Sequence, residues 1–120
     1  MDSNTSVAEL KEWVARFRDE RDWAKFNNPK DLSMAISIES AELQELFLWK
    51  DSESVSKIHE NEKLYPKVRE EAADVCIYLL SLFDVLHLDL SDAVADKLTE
   101  NARKYPVDKS KGSSKKYDEL

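Results

Sequence analysis

Val75-Cys76-Ile77-Tyr78-Leu79-Leu80-Ser81-Leu82-Phe83 is apolar on nearly every side when wound as a helix. The pattern around it predicts one long helix that starts near Pro66, which suits a first-turn position, and runs to about Leu86. Such a helix is buried on most sides, by its own domain or by a partner subunit. The run is too short to span a bilayer and stops at Asp84. Upstream, Leu32, Ile36, Leu43 and Leu46 mark the inward stripe of a helix expected from about Asp31 to Trp49. Pro29 breaks the pattern before it. Val7, Leu10, Trp13, Val14 and Phe17 repeat at helical spacing between Ser6 and Trp23, with Trp13 read as core. Ser6 followed by Glu9 predicts a capping box at the start of that helix. Downstream, Ser91 is the expected cap of a helix from Asp92 to about Tyr105, which Pro106 ends. Residues 51–62 read as a polar loop with room for one helical turn. The fold class is therefore all-α, four main helices packed as a bundle. Residues 1–106 form the helical domain, and residues 107–120 form a basic, Ser-rich tail expected to be mobile on its own.

Composition narrows the function. The 120 residues suit one domain, and 18 Lys and Arg against 25 Asp and Glu leave a net charge of −7. That balance argues against binding polymeric nucleic acid, which needs basic surface to displace counterions. It leaves room for an anionic small substrate, because a metal can reverse the local sign. A single glycine, Gly112, excludes Gly-rich phosphate loops and dinucleotide fingerprints. One cysteine, Cys76, excludes an internal disulfide and a Cys-based zinc site. The first residues lack a signal pattern and no run spans a membrane, so a cytoplasmic protein is expected.

Acid pairs three apart need a chance baseline before they mean anything. About five are expected at random in a chain this acidic, and six occur, so spacing alone is silent. Placement is more telling. At about 100° per residue, Glu39 falls inside the stripe of the second helix and Glu42 on its edge. On the long apolar helix, with Val68, Val75, Leu79 and Leu82 as its stripe, Glu71 and Asp74 take the matching places. Two helices thus aim two carboxylates each at one interior, and no basic residue occupies either stripe. Converging carboxylates repel and lose solvation unless protons or a metal neutralise them; a buried salt-bridge layer is the plainer alternative. An all-oxygen donor set favours a hard ion, Mg²⁺ or Mn²⁺, and the lack of Glu-x-x-His pairs argues against iron.

Glu39-x-x-Glu42 followed by Glu71-x-x-Asp74 resembles the metal motif of the MazG-like all-α nucleoside triphosphate pyrophosphohydrolases. The likeness runs through Glu20-Arg21-Asp22-Trp23, Glu42-Leu43-x-Glu45-Leu46-Phe47-x-Trp49-Lys50 and Asp74-Val75-x-Ile77-Tyr78-Leu79. It continues in Lys97-x-x-x-Asn101-x-Arg103-Lys104-Tyr105-Pro106 and Ser113-Ser114-Lys115-Lys116-Tyr117, and resembles the dCTP pyrophosphatase branch.

The resemblance implies Mg²⁺-dependent hydrolysis of a deoxynucleoside triphosphate, dCTP or a modified pyrimidine preferred, to the monophosphate and pyrophosphate. It implies that Glu39, Glu42, Glu71 and Asp74 are the metal-binding and catalytic carboxylates, with the general base unassigned among them. It gives Lys97, Asn101, Arg103 and Lys104 to the phosphates, although cations in a last helical turn also suit the helix dipole. Trp23, Trp49, Tyr78 and Asn27 would line the base pocket. Relatives of that branch tend to carry His where this chain has Asn27, whose amide can still pair with a base edge. A homotetramer built from dimers is implied, with some base-pocket aromatics acting across an interface. The same chemistry on dUTP or on many dNTPs, and a non-catalytic acidic interaction module, are the competing readings.

Overall fold

The computed structural model describes residues 1–120 and contains helices and turns only. It divides into two compact units, Met1–His87 and Leu88–Leu120. The first holds α1 (Val7–Glu20), α2 (Pro29–Glu45), the short α3 (Ser52–Ser56) and the long α4 (Leu64–Val85). The second holds α5 (Leu90–Lys104) and one further turn of helix, α6 (Val107–Ser110). All four long helices expected from the sequence are present. Within the first unit α4 packs along α2 and, less extensively, against α1. No helix is long and apolar enough to cross a membrane.

Local chemistry sets the helix ends. The capping box forms as predicted: Glu9 N donates to Ser6 Oγ at 3.1 Å, and Ser6 N donates to Glu9 Oε2 at 2.7 Å. α1 stops at Glu20 rather than Trp23, because Asp22 takes a left-handed backbone with φ 54°. α2 begins earlier than expected: Pro29 occupies its first position, and Asn28 Oδ1 accepts from Asp31 N at 2.9 Å. It also ends earlier, at Glu45, after which Leu46, Phe47 and Leu48 close tighter three-residue turns and Trp49 turns left-handed at φ 63°. α4 starts two residues before Pro66, with Asn61 Oδ1 accepting from Leu64 N at 2.9 Å. Proline is harmless there, since first-turn N–H groups have no intrahelical acceptor. At α5 the cap is Asp89, not Ser91; its Oδ1 accepts from Asp92 N at 2.8 Å, so the helix begins at Leu90.

The stripe of α2 behaves as read: Leu32 is 1% exposed, and Ile36, Leu43 and Leu46 are half-buried. Two expectations fail. Trp13 is 55% exposed rather than core, and Leu79 is 39% exposed although it belongs to the predicted α4 stripe. Three helices of the first unit cannot enclose one that is apolar all round, so part of the apolar surface of α1 and α4 faces outward.

Candidate active site

α2 presents Glu39 and Glu42 one turn apart, and α4 presents Glu71 and Asp74 in the same way. The packing of these two helices brings Glu39, Glu42 and Glu71 together, with one carboxylate oxygen of each inside a 4.8 Å cluster. Glu39, Glu71 and Asp74 are half-buried, while Glu42 is exposed at the edge. Asp74 stands a step outside the cluster but acts on it through its charge.

This centre has no internal compensation. Within the first unit no Lys or Arg pairs with any of the four acids, so no salt-bridge layer forms around them there. Glu39 Oε2 and Glu71 Oε2 are buried with no hydrogen-bond partner. Desolvation pushes the Glu39 carboxyl above its ordinary range, and contact with Glu42 and the charges of Glu42, Asp74 and Glu71 push it further. Glu71 shifts the same way, through desolvation first and then Glu42 and Asp74. Buried polar atoms are almost always paired, so two orphaned oxygens in one acidic cluster mark a place for a ligand that brings positive charge. Hard, all-oxygen donors fit a divalent cation. The group can hold a metal ion.

Beside it, α1, α2 and α4 line a cavity of about 780 Å³. Asp74 belongs to its wall, together with the predicted base-binding residues Trp23, Asn27 and Tyr78. Trp23 is fixed from two sides: its ring meets Phe17 edge-on at 5.8 Å, and its carbonyl accepts from Asn27 Nδ2 at 2.7 Å. Arg21 in turn stacks on Phe17 at 3.7 Å. Trp49 is not brought to this cavity; it is 93% exposed, beside Phe47 and Leu48 in a separate cleft.

Of the predicted phosphate-binding residues, all lie on α5. Lys97 and Lys104 bracket Glu100, at 3.1 and 3.2 Å from its two carboxylate oxygens. Asn101 is half-buried and Arg103 exposed. Within the same unit the tail returns: Tyr117 meets Tyr105 edge-on at 6.2 Å, and Lys104 Nζ lies 5.1 Å from the Tyr117 ring.

Arg18 is the cavity residue the sequence reading passed over. Its Nη1 donates to Asp84 Oδ2 at 3.1 Å, joining α1 to α4. Its signal was available, since Arg18 continues the four-residue spacing of Leu10 and Val14 on the inward face of α1.

The fold and site therefore define an all-α protein with a cation-accepting carboxylate centre beside an aromatic-lined cavity. Residues 34–120 match the MazG-like family. Over nearly the whole chain, dCTP pyrophosphatase 1 of Bos taurus is 36% identical across 118 residues, which cover 98% of this chain and 70% of that protein. The mouse protein of the same name is 37% identical across 115 residues, 96% of this chain and 68% of its own. A crystal structure of a pyrophosphatase from Archaeoglobus fulgidus superposes with a TM-score of 0.76 at 45% identity, covering 82% of this chain and 91% of that one. The chain belongs to the MazG-like family, as the resemblance implied.

Proposed function

We propose that this chain is a Mg²⁺-dependent nucleoside triphosphate pyrophosphohydrolase. It takes a deoxynucleoside triphosphate, with dCTP or a modified pyrimidine preferred, to the monophosphate and pyrophosphate. The observation that carries this reading is the cluster of Glu39, Glu42 and Glu71, whose oxygens lie within 4.8 Å of one another and include two buried atoms without partners. The names of the curated relatives support the chemistry and the cytosine preference, and that of the structural neighbour supports the chemistry. A bound Mg²⁺, or Mn²⁺ in its place, would neutralise the carboxylates and the substrate's triphosphate oxygens together.

The chain's own residues do the rest. Glu39, Glu42 and Glu71 hold the cation, with Asp74 as the fourth acid; one of the four accepts the proton of the attacking water. Trp23 and Tyr78 supply faces on which a base stacks, and Asn27 faces its polar edge. Lys97, Asn101, Arg103 and Lys104 donate to the phosphates, and the bond of Glu100 to the two lysines gives way to substrate. Trp49, exposed in the single chain, serves the pocket of a neighbouring copy in a homotetramer. The outward apolar residues of α1 and α4, Trp13 and Leu79 among them, are the surface such an assembly covers. The protein acts in the cytoplasm on the free nucleotide pool.

Pyrophosphate release from each dNTP and NTP, with Mg²⁺ and with EDTA, tests the proposal. Mg²⁺-dependent release that favours dCTP supports it in full. Equal release from several nucleotides keeps the chemistry and removes the cytosine preference, and no release from any leaves the interaction-module reading.

A further inference from the structure

The cavity wall of the first unit contains one cationic side chain, Arg18. It is only 15% exposed, and a guanidinium so placed is costly unless it is paired. Two carboxylates pair it: Nε donates to Asp19 Oδ1 at 2.9 Å and Nη1 to Asp84 Oδ2 at 3.1 Å. The first comes from the next residue and the second from α4, so the plane of the guanidinium is fixed between two helices. A guanidinium carries five N–H donors, and these two bonds leave three of them unspent.

Asn27, in the same wall, has the opposite character. One N–H of its Nδ2 is spent on the Trp23 carbonyl at 2.7 Å, which fixes the amide, and no hydrogen bond occupies Oδ1 as an acceptor toward a ligand. The cavity thus combines aromatic faces, a rigid donor and an acceptor. Along α4, Asp74 and Ser81 both line the cavity, and the helical rise separates them by about 10 Å, on the scale of a nucleoside. Asp84, the partner of Arg18, lies one turn further on.

Pyrimidines differ at the edge such groups would meet. Cytosine offers N3 and O2 as adjacent acceptors and its 4-amino group as a donor, whereas uracil and thymine place an N–H at N3. Donors facing donors leave a buried polar group unpaired, the situation in which analogues are rejected most strongly.

We propose that Arg18 is the base-selecting residue of this chain. Held by Asp19 and Asp84, it donates to the N3/O2 edge of a cytosine base seated among the cavity's aromatics, while Asn27 Oδ1 accepts from the 4-amino group. The inference rests on the nucleotide-hydrolase reading for its class of ligand, so its test is kept apart from turnover.

The test measures binding of dCMP and dUMP by calorimetry, in EDTA, to the wild type, Arg18→Met and Arg18→Lys. The wild type should prefer dCMP by about tenfold or more, and Arg18→Met should bring the ratio close to one. Arg18→Lys keeps a cation opposite Asp84 but loses the planar fork; it should lower the ratio as well, and it carries the test if the Met variant does not fold. Equal weakening for both nucleotides at an unchanged ratio would overturn the proposal and leave Arg18 as a tie between α1 and α4. So would a wild type that binds the two alike. A preference for dCMP that vanishes with Arg18, in a protein that hydrolyses no triphosphate, would uphold this inference while the proposed function fails.

Discussion

The protein treats its carboxylates in two opposite ways. On α5, Glu100 sits between Lys97 and Lys104, and their hydrogen bonds and charges hold its carboxyl below the usual range. Between α2 and α4, Glu39 and Glu71 face other acids, carry buried oxygens without partners, and are held above that range. The first arrangement is complete in itself; the second is stable only when something positive or a proton arrives. A carboxylate satisfied before any ligand arrives therefore looks like Glu100, and a centre that waits for a ligand looks like Glu39 and Glu71.

The sharpest way to break this contrast is to remove a charge from the acidic centre. Glu39→Gln or Asp74→Asn should lower turnover by more than the tenfold to hundredfold typical of an outer-shell partner, with the helical circular dichroism unchanged. Unaltered turnover in either variant would remove that residue from the site. Trp23→Ala should cost about tenfold to hundredfold in kcat/KM for the preferred nucleotide, because it deletes a stacking face of the cavity.

Acidity sharpens the same contrast. The folded-state pKa values of Glu39 and Glu71 lie above their unfolded ones, so folding favours their protonated forms. Their contribution is fully present below the ordinary carboxylate range and is lost as pH rises through the shifted values. Without metal, the melting temperature of wild type minus that of Glu39→Gln should fall as pH rises from 4 to 8, and a flat difference would contradict the shift. Glu100 has the reverse sign, so its contribution appears above the ordinary range and fades as pH falls. Among smaller effects, Asn28→Ala removes the cap of α2 and should cost about 1 kcal/mol in denaturant titration. Glu100→Gln, in an exposed pair, should leave the melting temperature nearly unchanged.

Much of this was legible in the residues. Ser6 and Glu9 announced the start of α1, and the stripe of Leu32, Ile36, Leu43 and Leu46 oriented α2 so that Glu39 fell inward. Chain order alone could not show Arg18 with Asp84, whose partners are 66 residues apart and meet only once α1 and α4 pack. Trp13 and Leu79 failed for a related reason: periodicity marks an apolar face without saying whether one chain covers it. Trp49 fell outside the cavity because α2 unwinds after Glu45, and the left-handed turn at residue 49 directs the chain away from the helical path.

The central claim is that the carboxylate cluster is incomplete without a cation, and thermal melting of wild type and Glu71→Gln at pH 7.5, with EDTA and with Mg²⁺, tests it most directly. The account predicts that Glu71→Gln melts above wild type in EDTA, because a repelling charge is gone, and that Mg²⁺ raises wild type far more than the variant. A wild type indifferent to Mg²⁺, or a variant that melts lower in EDTA, would contradict it.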